Sequence, residues 1–279
     1  MTDKQKFWNP VLETLAPEKI KQLQLSKFKK IFRWSYENSK FHRRLYDNAG
    51  IKPEDVQSFE DIKRVPKVEK SMMRDIQRKE PFPYGEALCV PLDEVTIFRQ
   101  TSGTTGQPVY QPDTWQDWEW WMECWSYILW AQGYRPQDRV FIPFGYNIFV
   151  AFWAGHYAAE KIGCEVIPGG VLDTKARILK IQELQATAMM GTPTYILGMA
   201  ETARLKRNLD PAKLPINKIT CAGECGASIP STKRRLENAW GAKFFNHTAT
   251  TEIYTLSLHD ALPISCCWRS IATYTRRAN

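Results

Sequence analysis

Two spacings of apolar residues divide the chain. Before the connector at residues 80–94 they recur every three to four positions, and beyond it they come in short runs separated by amphipathic stretches. Leu25, Phe28, Phe32 and Tyr36 share one helical face, and Ser58 followed three positions later by Asp61 has the form of a helix-starting capping box. These features predict a helical region over residues 1–90, closed by the proline-rich stretch EPFPYGEALCVPLDE.

Strand-like runs at 95–99, 139–143, 165–168, 187–190, 218–222 and 243–246 then alternate with helical stretches at 115–131, 149–162, 175–184, 193–207 and 231–240. Alternation of this kind predicts an α/β domain over residues 91–254, with a mainly parallel sheet flanked by helices. Ligands of such sheets bind beyond the carboxyl ends of the strands.

The stretch after 95–99 is the first candidate for chemistry. Thr101, Ser102, Gly103, Thr104, Thr105 and Gly106 combine glycines, which let another molecule approach the main chain, with hydroxyls that can bond anionic oxygens. Composition alone leaves an ordinary turn and a phosphate cradle both open. A place at the carboxyl end of a sheet strand favours the cradle. The tryptophan-rich stretch at 115–131 sets Trp118, Trp121, Trp125 and Leu129 on one stripe, with Trp120 and Trp130 off it. That distribution predicts a helix buried between layers or at a subunit contact, with an aromatic ligand wall as the other reading.

Charge adds little. The chain carries 38 Lys and Arg against 30 Asp and Glu, a net charge of +8. Its densest basic groups, Lys27, Lys29, Lys30 and Arg33, and Lys233, Arg234 and Arg235, lie on amphipathic stretches and read as solvated faces rather than a nucleic-acid groove. No apolar run approaches the roughly 18 residues of a membrane span, and the first residues lack a signal peptide's apolar core. A cytoplasmic protein without membrane or nucleic-acid partners is expected. Cys89, Cys124, Cys164, Cys221 and Cys225 form no CxxC pair and have no His partner at zinc spacing, so they are expected to be reduced and mostly buried. The stretch TLSLHDALPIS from Thr255 can be encoded by a string resembling a common sequencing adapter, and residues 255–279 are expected to be a non-native tail.

Taken in order, several motifs resemble the phenylacetate–CoA ligase family of adenylate-forming enzymes. TSGTTGQPV is similar to the family's phosphate loop, FGYNIFVAFWAGHYAAEKIGCEVIPGG to its acyl-pocket stretch, GTPTYIL to its T-P-S-Y segment, CAGECGAS to its G-[GA]-E-P-x-S turn, and FNHTATTE to the D-H-x-G-x-T-E variant of its nucleotide motif. The likeness implies a partial adenylate-forming domain that activates a carboxylic acid with ATP and Mg²⁺, then passes the acyl group to coenzyme A. A phenylacetate-like aromatic acid is the implied substrate.

By the same resemblance, Thr101, Ser102, Gly103, Thr104, Thr105 and Gly106 hold the β- and γ-phosphates, and Gly223, Glu224 and Cys225 lie along the adenine. Thr251 meets the α-phosphate and Glu252 ligates Mg²⁺. Tyr146, Phe149 and His156 build the acyl pocket, with Gly191, Thr192 and Pro193 as another wall. A homodimer is left open.

The chain departs from the family pattern at Val109, where lysine or threonine is usual, at Thr248 and Ala249 in the nucleotide motif, and at Cys225 in place of proline. The ribose-gripping aspartate, the hinge and the small domain bearing the adenylation lysine are expected to lie downstream of the segment given. Residues 1–279 alone are therefore expected not to adenylate at a useful rate. Two further alternatives are a non-catalytic nucleotide-binding module and a relative that adenylylates a deazaflavin coenzyme.

Overall fold

The computed structural model describes residues 6–101, 106–148 and 152–247, which divide between two compact units. One comprises residues 9–124 with 148–150, and the other residues 125–147 and 151–249 with a short N-terminal stretch.

In the first unit, helix α1 (Pro17–Asn38) starts with proline at its first position and glutamate in its first turn. It runs into α2 (Lys40–Asn48), where Ser39 ends one helix and its hydroxyl accepts the His42 N–H of the next. Phe32, Tyr46, Ile51 and Val56 form the core between them, with Leu25, Phe28 and Tyr36 packed against it, so the predicted stripe is the buried one. Ser58 and Asp61 form the capping box read from the sequence. Helix α3 (Lys70–Gln77) contributes Met73 and Ile76 to a second cluster with Phe41 and Val109.

Strand β1 (Ile97–Gln100) pairs antiparallel with β2 (Tyr110–Asp113), Ile97 opposite Asp113 and Gln100 opposite Tyr110. This corrects the expectation that residues 95–99 form a strand of the parallel sheet. A central parallel strand is buried on both faces, whereas Phe98 in β1 is 43% exposed. Arg99 and Asp113 form a buried ion pair, with Arg99 Nε 2.6 Å from Asp113 Oδ2 and the guanidinium over the Trp118 and Trp121 rings.

Helix α4 (Trp115–Ala131) begins in this unit and ends in the other. Its predicted stripe, Trp118, Trp121, Trp125 and Leu129, is buried. The off-stripe tryptophans take cations instead: Lys27 Nζ lies 4.6 Å from the Trp120 ring and the Arg135 guanidinium 3.9 Å from the Trp130 ring.

The second unit holds a five-stranded sheet in the order β4-β3-β5-β6-β7, every pairing parallel. Its strands are β3 (Arg139–Ile142), β4 (Glu165–Pro168), β5 (Ala188–Gly191), β6 (Lys218–Cys221) and β7 (Lys243–Asn246). Between them run α5 (Trp153–Ile162), α6 (Thr174–Glu183), α7 (Pro193–Arg207) and α8 (Pro230–Trp240). The main core gathers Phe141, Ile178, Ile181, Met189, Ile196, Met199, Ile219, Leu236, Trp240 and Phe244. Trp240 is fully buried and its indole N–H donates to the Ile196 carbonyl at 3.1 Å. Among the described residues no helix is long and apolar enough to cross a membrane. Cys89, Cys124, Cys164 and Cys221 are unbridged and buried.

Candidate functional site

In the first unit the hairpin carries the glycine-hydroxyl loop between its strands. Thr101 is 5% exposed, and its side-chain oxygen accepts the Val109 N–H at 3.0 Å while its own N–H donates to the Val109 carbonyl at 3.0 Å. The first hydroxyl of the motif therefore closes the base of the loop. Gln77 grips the second stem, with Nε2 2.6 Å from the Tyr110 carbonyl and Oε1 accepting the Tyr110 N–H at 3.0 Å. Ser102, Gly103, Thr104 and Thr105 lie outside the described residues. Gly106 has φ +133°, a conformation that side-chain-bearing residues rarely adopt.

In the second unit two of the turns picked from the sequence lie side by side, with His247 at the start of the third beside them. Parallel register places Gly191 of β5 beside Cys221 of β6, and Cys221 beside Asn246 of β7, so the residues that follow these strands emerge at one edge of the sheet. The Ala222 N–H donates to the Gly191 carbonyl at 3.2 Å and the His247 N–H to the Cys221 carbonyl at 2.7 Å, extending the ladder one step past each strand. Gly223 follows with φ +85°. Glu224 turns its carboxylate onto the start of α7, accepting the Thr194 hydroxyl at 2.7 Å and the Thr194 N–H at 3.2 Å. A carboxylate at a helix N-terminus satisfies a free N–H and meets the positive end of the dipole. It also ties the turn after β6 to the one after β5, which holds Thr192 and Pro193. Thr251 and Glu252 lie outside the described residues, as does Phe149.

Tyr146 and His156, which the sequence singled out separately, are hydrogen-bonded. The Tyr146 hydroxyl lies 2.6 Å from His156 Nδ1, and His156 Nε2 lies 3.0 Å from Glu160 Oε1. A carboxylate only accepts, so Glu160 fixes a proton on Nε2; in the neutral ring Nδ1 is then bare and accepts the phenol proton. Burial pushes the Tyr146 phenol well above its ordinary value, so it stays protonated. A phenol that donates to Nδ1 keeps its oxygen lone pairs for another donor. Trp153 packs at 4.5 Å from the Tyr146 ring and anchors its own N–H on the Asn147 carbonyl. Glu160 was missed in the sequence, although its position one helical turn after His156 is the signal that would have found it.

His247 was also missed. It is 5% exposed, its ring centroid is 4.3 Å from that of Trp125, and its Nε2 has no hydrogen-bond partner among the described residues. Burial pulls its pKa down to about 4. Burial likewise pushes the Cys221 thiol up to about 12, which removes it from redox or nucleophilic work at neutral pH. Among the described residues no group of three or more His, Cys, Asp or Glu side chains is arranged to hold a metal ion.

No family model matches the chain. It is 31% identical over 253 residues to the phenylacetate–coenzyme A ligase of Thermus thermophilus, a match covering 90% of this chain and 53% of that protein. It is 32% identical over 200 residues to the phenylacetate–coenzyme A ligase of Escherichia coli, covering 71% of this chain and 44% of that one. Among solved structures, an open conformation of 2-hydroxyisobutyryl-CoA ligase in complex with 2-HIB-AMP and CoA matches with a TM-score of 0.83 and 28% identity, over 90% of this chain and 54% of that one.

The fold is that of the adenylate-forming acyl-CoA ligases. Within that class, the chain is similar over most of its length to proteins named phenylacetate–coenzyme A ligase. The chain spans about half the length of the curated relatives it matches.

Proposed function

We propose that this chain is the nucleotide- and acid-binding part of an AMP-forming acid–thiol ligase. The observation that carries the reading is the shared edge of the sheet, where the turns after β5 and β6 and His247 after β7 come together with a left-handed glycine at Gly223. In the proposed first step a carboxylate oxygen attacks the α-phosphorus of ATP, the bond to the bridging oxygen breaks, and pyrophosphate leaves. In the second the thiol sulfur of coenzyme A attacks the acyl carbonyl carbon, the bond to AMP breaks, and the thiol proton passes to solvent. Adenylation matters because an unactivated carboxylate would have to expel oxide.

The site residues take the following roles in this reading. Ser102, Gly103, Thr104, Thr105 and Gly106 cradle the β- and γ-phosphates with main-chain N–H groups as donors, while Thr101, whose own N–H is given to the Val109 carbonyl, closes the base of that cradle. Gly223, Glu224 and Cys225 run along the adenine, Thr251 meets the α-phosphate, and Glu252 supplies a hard carboxylate oxygen for Mg²⁺. Tyr146, Phe149 and His156 form the acyl pocket with Gly191, Thr192 and Pro193 opposite, and a phenylacetate-like acid is the substrate the family suggests. The protein is taken to work in the cytoplasm.

Because the chain spans about half of its relatives, residues 1–279 alone are expected to bind ATP and AMP without turning over. Calorimetry with ATP and AMP, paired with a pyrophosphate-release assay with and without phenylacetate, tests this. Binding without carboxylate-dependent release is the expected result. Robust release would overturn the half-ligase reading, and absence of any nucleotide binding would overturn the site.

A further inference from the structure

Two turns at the carboxyl edge of the sheet pack main chain against main chain. Parallel register sets Ile142, the end of β3, beside Pro168, the end of β4, and the Gly169 N–H donates to the Ile142 carbonyl at 2.9 Å. A Cβ on Gly169 would lie 2.5 Å from the Phe141 ring, and one on Gly170 would lie 2.6 Å from the Phe144 carbonyl oxygen and 3.1 Å from Gly145 Cα. Glycine at both positions lets the turn after β4 press on the turn after β3. Tyr146 follows Gly145 directly, so the Tyr146–His156 pair rests on this contact.

Arg177 holds the turn after β4 in turn. It stands in the first turn of α6, where Asp173 caps the helix by accepting the Ala176 N–H at 2.8 Å and Ile178 and Ile181 enter the main core. From this anchored base Nε donates to the Gly169 carbonyl at 2.8 Å, Nη2 to the Gly170 carbonyl at 2.7 Å, and Nη1 to the Tyr195 hydroxyl. Tyr195 lies in the first turn of α7, two residues after Pro193. All three acceptors are neutral, so the contacts call on the planar fork of donors rather than on charge pairing. One side chain thereby joins the turn that supports Tyr146 to the helix start that follows Thr192.

We propose that Arg177 is a positioning residue of the acid-binding side of the site. By tying the Gly169–Gly170 turn to Tyr195, it sets the spacing between the Tyr146–His156 pair and the Gly191–Pro193 turn. The inference rests on the reading of those two groups as the walls of an acid pocket. A wall held at the right distance adds affinity without touching the acid itself, because the pocket need not rearrange on binding.

Nitrogen-15 spectra of the histidine rings in residues 1–279, recorded at mildly alkaline pH alone and during titration with phenylacetate, are the test. In the native chain His156 should show a protonated Nε2 and a hydrogen-bonded Nδ1, and phenylacetate should shift both. Arg177→Lys keeps the charge but cannot span the three acceptors with a planar fork. It is expected to move the His156 Nδ1 signal toward that of an unbonded nitrogen and to weaken phenylacetate about three- to tenfold. Tyr195→Phe leaves the two glycine carbonyls held, so it should weaken phenylacetate by less and keep the His156 signals native-like; it carries the test should Arg177→Lys not fold. A merely structural role would lower the urea midpoint without moving the ring signals of the folded chain. His156 signals or phenylacetate affinity that stay native in Arg177→Lys, or native affinity in Tyr195→Phe, would overturn the proposal while the acid pocket stands. Phenylacetate that leaves the His156 ring of the native chain unmoved would remove the acid-pocket reading, and Arg177's part with it.

Discussion

Replacing Asp138 by alanine is expected to remove about 3–5 kcal/mol from the stability of the sheet-bearing unit, measured by urea unfolding of the full chain. Asp138 is 4% exposed, at the amino end of β3. Its carboxylate accepts Lys218 Nζ at 2.8 Å on each oxygen, the Thr187 hydroxyl at 2.8 Å and the Arg135 N–H at 2.8 Å. These partners belong to the starts of β5 and β6 and to the turn before β3, so one side chain joins three adjacent strands at the edge opposite the proposed nucleotide turns. Alanine would leave the Lys218 ammonium, whose side chain is 14% exposed, without its counter-ion.

The loss comes from the stranded charge rather than from an intrinsic worth of the pair, since desolvating two ions offsets most of their attraction. The double replacement Asp138→Leu with Lys218→Met should therefore recover most of it. If Asp138→Ala unfolds within about 1 kcal/mol of the native chain, the side chain is not holding the strand starts together.

What was readable in the sequence followed from local rules. Helix α4 was placed to the residue because its tryptophans declare both its period and its buried face, and β4, β7 and α7 also match their expected bounds. The capping box at Ser58 needed only two residues and their spacing. Phe152 shows where a local rule stopped: the apolar stretch from 149 was extended as helix, yet Phe152 sits at φ +57° ahead of α5. The hairpin was misassigned because four residues of mixed polarity look alike in an edge ribbon and in a sheet; only the partner strand tells them apart.

The couplings that escaped notice join residues distant in sequence. Arg74 and Gly106 are 32 positions apart, and nothing in KSMMRDIQ announces that the Arg74 guanidinium lies beside Gly106. Glu224 was expected along an adenine, and its carboxylate also caps a helix that begins 31 residues earlier. Motif recognition supplied the resemblance; it did not supply these couplings.

Acidification from pH 7 to about 4 should destabilise each unit by about 3 kcal/mol through one buried histidine apiece, beyond the loss due to carboxylates. His42 in the helical unit is 3% exposed and His247 in the sheet unit 5%. Burial lowers each from 6.5 to about 4. The Ser39 hydroxyl donates to the Glu86 carbonyl at 2.9 Å and lies 2.9 Å from His42 Nδ1, so Nδ1 carries the proton and Nε2 is left as a bare acceptor.

Both rings are neutral in the folded chain across the window where the unfolded chain protonates them. The unfolded state then binds more protons, and stability rises with pH between about 4 and 6.5. The contribution is complete above the unfolded value and is lost as pH falls toward the folded one.

His247→Phe isolates the effect, because a phenyl ring keeps the contact with Trp125 and cannot titrate. Its stability, followed by chemical unfolding at pH 7, 6, 5 and 4.5, should fall less steeply than that of the native chain, since the carboxylates are common to both. Parallel curves would mean that His247 takes up its proton in the folded state without penalty. Its bare nitrogen would then have to face solvent or an acceptor, against a burial that leaves the ring only 5% exposed beside Trp125.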